Sequence, residues 1–164
     1  MPCRLSIIEY IHMRGEKMSD MDLVGRCGLS CVIYRAERDD QEWRARIAEK
    51  YNCRTEQVRC NGCNALTSEC WGNGCKIVLC TSAKGINFCF ECQEYIDETC
   101  DKYKDLADDY LEAGVNLREN LLKIKEGKVK EWLQESQKKF TCKVCEKPLA
   151  VWTKKCHHCG AEIN

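Results

Sequence analysis

Histidine and proline are scarce in the sequence. Its 164 residues include only three histidines, two prolines and 8% aromatic residues. With so few histidines, an open catalytic zinc site of histidine and glutamate ligands is not expected. The sequence also contains no convincing candidate for a glycine-rich phosphate loop, a pair of catalytic carboxylates or a Ser/His/Asp set. The composition therefore favours a binding or structural protein, and a cysteine-rich catalytic site is the alternative that stays open.

Long hydrophobic runs are missing as well. The longest N-terminal apolar stretch, Leu5 to Met13, is interrupted by Glu9 and is followed by no small-residue cleavage site, so no secretory signal is predicted. No run approaches the ~18 apolar residues of a membrane-spanning helix. We therefore expect a cytoplasmic protein without a membrane partner. In that compartment thiols stay reduced, so paired cysteines favour metal binding over disulfides.

An excess of positive charge is also absent. Lysine plus arginine and aspartate plus glutamate both total 26, so the formal net charge is zero. Each zinc centre with four cysteine ligands would add about −2, because four thiolates face one dication. The charged helices between Asp101 and Lys139 are interpreted as solvated faces. A nucleic-acid partner is not favoured, and a protein complex is the expected partner.

Cysteine is abundant instead, with 16 residues that mostly form short-range pairs. The clearest set is C-terminal, where Cys142-x2-Cys145 and Cys156-x2-Cys159 are separated by ten residues. Two such pairs fold four thiolates onto one ion, as in a zinc ribbon. Rubredoxin-type iron has the same ligands and is the competing occupant. Against iron, Cys145 is followed by Glu146 rather than by the glycine usual in those knuckles.

A second group of cysteines fills the N-terminal half. Its candidate ligands form four pairs, namely Cys27 with Cys31, Cys60 with Cys63, Cys75 with Cys80, and Cys89 with Cys92. Eight thiolates suffice for two four-cysteine sites, but the spacing does not show which pairs share a metal. Cys70 and Asp97 are further ligand candidates. Cys53 and Cys100 are interpreted as buried thiols.

These pairs belong to a longer series of motifs. In chain order the series is Cys27-Gly28-Leu29-Ser30-Cys31, Tyr34-Arg35-Ala36, Cys60-x-Gly62-Cys63, Cys75-x4-Cys80, Gly85 and Cys89-x2-Cys92. It resembles the prokaryotic family catalogued as domain of unknown function 3795, whose members commonly continue into helices and a terminal zinc ribbon. The resemblance implies a fold and metal binding rather than a reaction. Members usually carry a third cysteine in the first motif and a Pro-Cys after the last pair, and this chain lacks both. One ligand pair or cluster is therefore expected to be altered.

Helices are expected to make up most of the remaining chain. One is predicted from about residue 32 to 51, and a second begins near Cys75 and is closed by Gly85. Three more follow Cys92, with a stop at Gly114 and an N-cap at Asn116. The face predicted to be buried on the first helix carries Tyr34, Trp43, Ile47 and Tyr51. The stripe predicted to be buried after Cys92 carries Tyr95, Tyr103, Leu106 and Tyr110.

Together these patterns predict a mainly α protein in four segments. They are an N-terminal extension (1–23), a small cysteine-rich metal-stabilised module (24–100), a helical segment (101–139) and a zinc ribbon with a short β-hairpin (140–164). Large apolar side chains are sparse, so metal coordination is expected to supply stability that a core cannot.

The function expected from this arrangement is that of a zinc-binding adaptor or structural protein, which docks on a larger protein assembly and holds two or three Zn²⁺. The ribbon residues Leu149, Val151 and Trp152 are predicted to be exposed apolar anchors. One alternative is an iron–sulfur redox protein of an anaerobe, with its cluster in the N-terminal module. A second is an RNA- or ribosome-associated zinc protein.

Overall fold

The computed structural model describes residues 19–31, 41–58, 62–70 and 72–163. Six α-helices lie in these ranges: α1 Gln41–Lys50, α2 Lys76–Lys84, α3 Gln93–Ile96, α4 Asp101–Glu112, α5 Leu117–Lys125 and α6 Val129–Lys139. Short 3-10 turns lie at Asp20–Leu23, Thr55–Gln57, Cys63–Ala65 and Cys89–Glu91. Within the described ranges, β structure is limited to three isolated antiparallel bridges. The prediction of a mainly α fold is confirmed. None of the helices in these ranges combines the length and apolar character needed to cross a membrane.

The helix boundaries follow the local signals in the sequence. Gly85 ends α2 in the left-handed conformation, with φ 66°. Asn116 caps α5, because its side-chain oxygen accepts a hydrogen bond from the Glu119 amide at 3.1 Å. Gly114 has φ 76° two residues after the end of α4. The stops and caps predicted after Cys75 are therefore confirmed.

The first predicted helix is described only from residue 41 onward. Residues 32–40, which include Tyr34, and the side chain of Trp43 lie outside the described part of the chain. Tyr51 was predicted to lie on a buried face, and this is wrong, because it is 51% exposed just beyond the end of α1. The chain turns there through Asn52, which has φ 49°, so the helical periodicity does not extend to Tyr51.

One hydrophobic core joins three of the predicted segments. Its most buried members lie on α4, α5 and α6: Tyr103, Ala107, Leu117, Leu121 and Trp132. The cysteine-rich module adds Val24, Leu29 and Ile77, and the ribbon adds Val151. Tyr103 and Tyr110 are buried as predicted. Because side chains from residues 24 to 151 share this core, the segments pack against one another.

The prediction that Leu149, Val151 and Trp152 are exposed anchors is wrong for two of the three residues. Leu149 and Val151 are only 5% and 3% exposed. Leu149 packs with Cys142 and Cys156 in a small ribbon core, whereas Val151 reaches the main core. Only Trp152 is exposed, at 55%, and its ring lies 5.0 Å from that of Tyr110 on α4. The stretch predicted to be a free apolar surface therefore attaches the ribbon to the helices.

The loop that carries Cys27 is held tightly against α4 and α5. The Tyr103 hydroxyl donates to the Cys27 carbonyl at 3.2 Å, and the Asn120 amide donates to the Gly28 carbonyl at 2.9 Å. Gly28 has φ 90°, and a Cβ built on it would lie 2.6 Å from the Leu117 carbonyl oxygen. Only glycine fits this approach without displacement of the α5 backbone.

We predict that Gly28→Ala lowers the free energy of unfolding by about 2–5 kcal/mol, because left-handed strain adds to overpacking. Gly85→Ala is the matched control. Gly85 has φ 66° and a Cβ built on it would meet nothing within 4 Å, so only the strain of about 1–2 kcal/mol applies. Denaturant unfolding of both variants measures the difference. Equal losses would show that the contact with α5 is not tight.

Candidate metal centre

The four cysteines predicted to form the ribbon site lie together. Their sulfur atoms are all within 4.8 Å of one another, with 3.7 Å between Cys142 and Cys159 and 3.6 Å between Cys145 and Cys156. A tetrahedral centre with metal–sulfur bonds of about 2.3 Å places its ligand atoms roughly 3.8 Å apart. A disulfide would require about 2.05 Å. The arrangement therefore fits one metal ion and not a pair of disulfides.

Each pair of ligands sits on a turn of the same design. In the first turn, the Cys142 amide donates to the Lys147 carbonyl at 2.9 Å, and a bridge joins Thr141 to Pro148. In the second, the Cys156 amide donates to the Ala161 carbonyl at 2.8 Å, and a bridge joins Lys155 to Glu162. The predicted β-hairpin is thus reduced to one bridge per turn. The repeated geometry brings two thiols from each turn to a common point.

The residue after each pair adopts a left-handed backbone. Gly160 has φ 74° after Cys159, and Glu146 has φ 58° after Cys145. A side chain in this region costs about 1–2 kcal/mol. The sequence marks Glu146 as a departure from the usual glycine, and the structure shows that the turn keeps its conformation despite the strain.

The surroundings of the four sulfurs are apolar on one side. Cys142 and Cys156 are buried, and Leu149, Ala161 and Ile163 pack around them. His157 and His158 lie against each other with ring centroids 4.0 Å apart, and neither belongs to the group of four ligands. Four sulfurs already complete a tetrahedron, so the ribbon site needs no histidine ligand.

Backbone amides lower the pKa of one ligand. The amides of Cys145 and Val144 donate to the Cys142 sulfur, the second at 3.4 Å, and these hydrogen bonds lower the pKa of Cys142 to about 6. Hydrogen bonds to a thiolate favour its charged form. Cys142 therefore loses its proton more readily than Cys145 or Cys159.

The partners of Cys142 hold their protons more firmly. The Lys147 amide lowers the pKa of Cys145, but desolvation and the hydrogen bond with Cys156 outweigh it, so the net shift is upward. The Ala161 amide acts in the same way on Cys159, where desolvation and hydrogen bonds with Cys145 and Cys156 prevail and raise the pKa to about 12. A metal must displace these protons in order to bind.

The cysteines of the N-terminal module are arranged differently. Burial of the Cys27 thiol raises its pKa, and the charges of Cys63, Cys89 and Cys75 raise it further. Cys31 is buried, and Cys60 lies outside the described residues. Within the described ranges, the ribbon cysteines are the only group of three or more ligands with all atoms inside 4.8 Å. The N-terminal ligand set stays a prediction.

Two features that hold this module together were missed in the sequence. Arg26 donates to Thr81 Oγ1 and to Asn64 Oδ1, both at 2.9 Å, and so ties the Cys27 loop to α2 and to the turn after Cys63. Gly62 allows a close approach, since a Cβ there would lie 2.2 Å from the Asp22 carbonyl oxygen. No sequence pattern around Arg26 indicates that its side chain binds Thr81 and Asn64.

Comparison with known proteins places these motifs in a family. A family model described as "Protein of unknown function (DUF3795)" matches residues 23–105, just over half of the chain. The chain belongs to this family. The matched region contains all the N-terminal cysteine pairs and ends within α4, so the ribbon lies beyond it. No curated protein matches the chain. No solved structure matches it.

We predict that metal binding at the ribbon weakens as the pH falls. Each displaced proton should lower the apparent association constant about tenfold per pH unit. At neutral pH the displaced protons come from thiols with raised pKa values, including Cys145 and Cys159. Below about pH 6 Cys142 is protonated too, so the slope should steepen there.

Competition titrations against a chromophoric chelator at several pH values measure this dependence. Cys142→Ser isolates the contribution of the ribbon, and Cys53→Ser, outside both proposed ligand groups, is the control. An affinity independent of pH, or a slope that flattens below pH 6, would contradict the expected order of deprotonation.

Proposed function

We propose that the protein is a zinc-binding structural or adaptor protein that docks on a larger protein assembly through its ribbon. The observation that carries the proposal is the closed group of four cysteine sulfurs at Cys142, Cys145, Cys156 and Cys159. Four protein ligands leave no open position for a substrate, which is typical of structural rather than catalytic zinc. Tetrahedral thiolate sites suit zinc, and the energy of binding then stabilises the fold.

The exposed surface of the ribbon supports a docking role. Trp152 is 55% exposed. Its backbone adopts φ 63°, a left-handed conformation that costs a bulky residue about 1–2 kcal/mol. Its ring leans on Tyr110, so the side chain is positioned rather than free. Val144, at the tip of the first turn, is also exposed. Exposed tryptophan is a frequent anchor in protein–protein interfaces.

The charge of the ribbon favours a protein partner over a nucleic acid. Residues 140–164 contain four lysines and two glutamates. Lys155 already pairs with Glu162 at 2.9 Å. A zinc centre with four thiolates would contribute about −2 and offset the remaining excess. A surface that follows phosphates needs a larger surplus of positive charge than this.

The metal content of the purified protein tests whether the bound metal is zinc. We expect protein purified anaerobically without chelator to carry two or three zinc ions per chain and little iron, measured by elemental analysis with native mass spectrometry. Cys142→Ser should remove about one of them. Iron and acid-labile sulfide in stoichiometric amounts would instead support the iron–sulfur redox alternative.

Docking is tested with a single exposed side chain. Trp152→Ala should reduce co-purification of protein partners from a native lysate by at least about tenfold, because a central aromatic anchor contributes about 2 kcal/mol or more. Tyr51→Ala is the matched control, since Tyr51 is exposed to a similar degree at the end of α1. Unchanged zinc content and thermal unfolding would show that the variant is folded.

Two results would contradict the docking proposal. If Trp152→Ala retains every partner, the ribbon surface is not part of the interface. If nuclease treatment rather than the substitution releases the partners, the RNA-associated alternative is favoured. Trp152→Ala tests docking more cleanly than truncation after Lys139, because the truncation also removes Val151 from the main core.

A further inference from the structure

A second cluster of cysteines surrounds a small cavity between α2, α3 and α4. The cavity has a volume of about 20 Å³. That is enough for one water-sized or ion-sized occupant. Its wall includes four thiols, from Cys80, Cys89, Cys92 and Cys100. Apolar and aromatic side chains complete much of the rest, from Ile77, Ile86, Tyr95 and Tyr103.

The fold, rather than sequence spacing, selects these four thiols. Cys80 lies in the second turn of α2, and Cys92 and Cys100 occupy the N-cap positions of α3 and α4. Cys75 precedes α2, and two helical positions five residues apart point roughly 140° away from each other. Cys75 is exposed and does not line the cavity. The cavity therefore includes Cys80 but not Cys75, the residue with which the sequence pattern pairs it.

The turn that carries Cys89 joins this cluster to the first cysteine motif. Cys89 is buried, and its amide donates a hydrogen bond to the carbonyl of Arg26, the residue before Cys27, at 3.0 Å. Cys100, which the sequence pattern leaves as a buried thiol without a partner, lines the same cavity as Cys89.

Two lysines line the same cavity. Lys84 donates a hydrogen bond to the Cys92 sulfur at 3.1 Å and pairs with Glu94 at 2.9 Å, and Lys102 lies on the wall beside Cys100. Four thiolates around one dication carry about −2, and nearby cations and N–H···S hydrogen bonds stabilise such centres. The cavity wall therefore supplies four thiol ligands and two lysines, which would offset part of the negative charge of a metal–thiolate centre.

We propose that Cys80, Cys89, Cys92 and Cys100 bind a thiophilic metal centre distinct from the ribbon. Unlike the ribbon ligands, no three of these four sulfurs lie within 4.8 Å of one another. A single zinc ion would require the sulfurs to move closer together, whereas a four-iron cluster, in which each cysteine binds a different iron, would hold them farther apart and require a wider cavity. Both occupants use the same thiolate chemistry, and the metal content distinguishes them.

The first test uses the unmodified full-length protein. It is purified anaerobically, and cysteine alkylation is followed by mass spectrometry before and after treatment with a strong chelator. We expect Cys80, Cys92 and Cys100 to react together, at least about tenfold faster once the metal is removed. Cys53 should react at the same rate in both states. If Cys100 reacts equally fast with and without metal, the proposal is overturned.

The second test removes single thiols. Cys100→Ser should lose about one centre, while the ribbon cysteines stay protected from alkylation. Cys53→Ser is the matched control and should keep the full complement. Cys75→Ser should leave Cys80, Cys92 and Cys100 protected, whereas the pairing of Cys75 with Cys80 requires that it release them. A full metal complement in Cys100→Ser, or the release of Cys80 by Cys75→Ser, would overturn the grouping.

Both tests are independent of the ribbon proposal. If Cys100→Ser fails to fold, the alkylation of the unmodified protein still decides. If Cys142 reacts equally fast with and without metal while Cys100 is protected only with metal, the ribbon site is contradicted and the cavity site stands. Zinc lost with Cys100 would identify a single-ion centre, and iron lost with acid-labile sulfide would identify a cluster.

Discussion

The close contact between the Cys27–Gly28 loop and α5 determines where several candidate ligands lie. No side chain fits between Gly28 and the Leu117 carbonyl, and Asn120 binds the Gly28 carbonyl from the same helix. With the loop held in this way, the Arg26 carbonyl accepts a hydrogen bond from the Cys89 amide at 3.0 Å. Two cysteine motifs more than sixty residues apart in the chain thus share one position on the helical core. The core therefore organises the cysteine-rich segment, in addition to any stability that metal coordination supplies.

The features that could be predicted from the sequence are those with a local cause. Asn116 and Gly85 act through their own backbone neighbours, and the two Cys-x2-Cys turns of the ribbon close through hydrogen bonds within a few residues. Burial of Val151 and the position of Cys100 depend on which helix faces meet. Hydrophobic periodicity identifies a buried face but not its partner, so those contacts could not be derived.

The two cysteine clusters differ in how much of the fold they require. The ribbon ligands come from a short segment, and each turn repeats the same hydrogen bonds, so the site can assemble almost by itself. The cavity thiols come from α2, the turn at Cys89–Glu91 and the starts of α3 and α4, which pack only when the core forms. Metal at the cavity would therefore be coupled to global folding, and metal at the ribbon mainly to local folding.

The ribbon is nevertheless not an independent appendage. Val151 is buried in the main core, and the next residue, Trp152, extends into solvent while its ring contacts Tyr110 on α4. Because Val151 is buried next to it, Trp152 is held in position and orientation. Its side chain therefore loses little rotational freedom when a partner covers it. Cys142 and Cys156 form the small ribbon core with Leu149, two residues before Val151, so metal bound at these cysteines would organise that core. Loss of the ribbon metal would therefore disturb the attachment that holds Trp152, and metal occupancy and docking should change together.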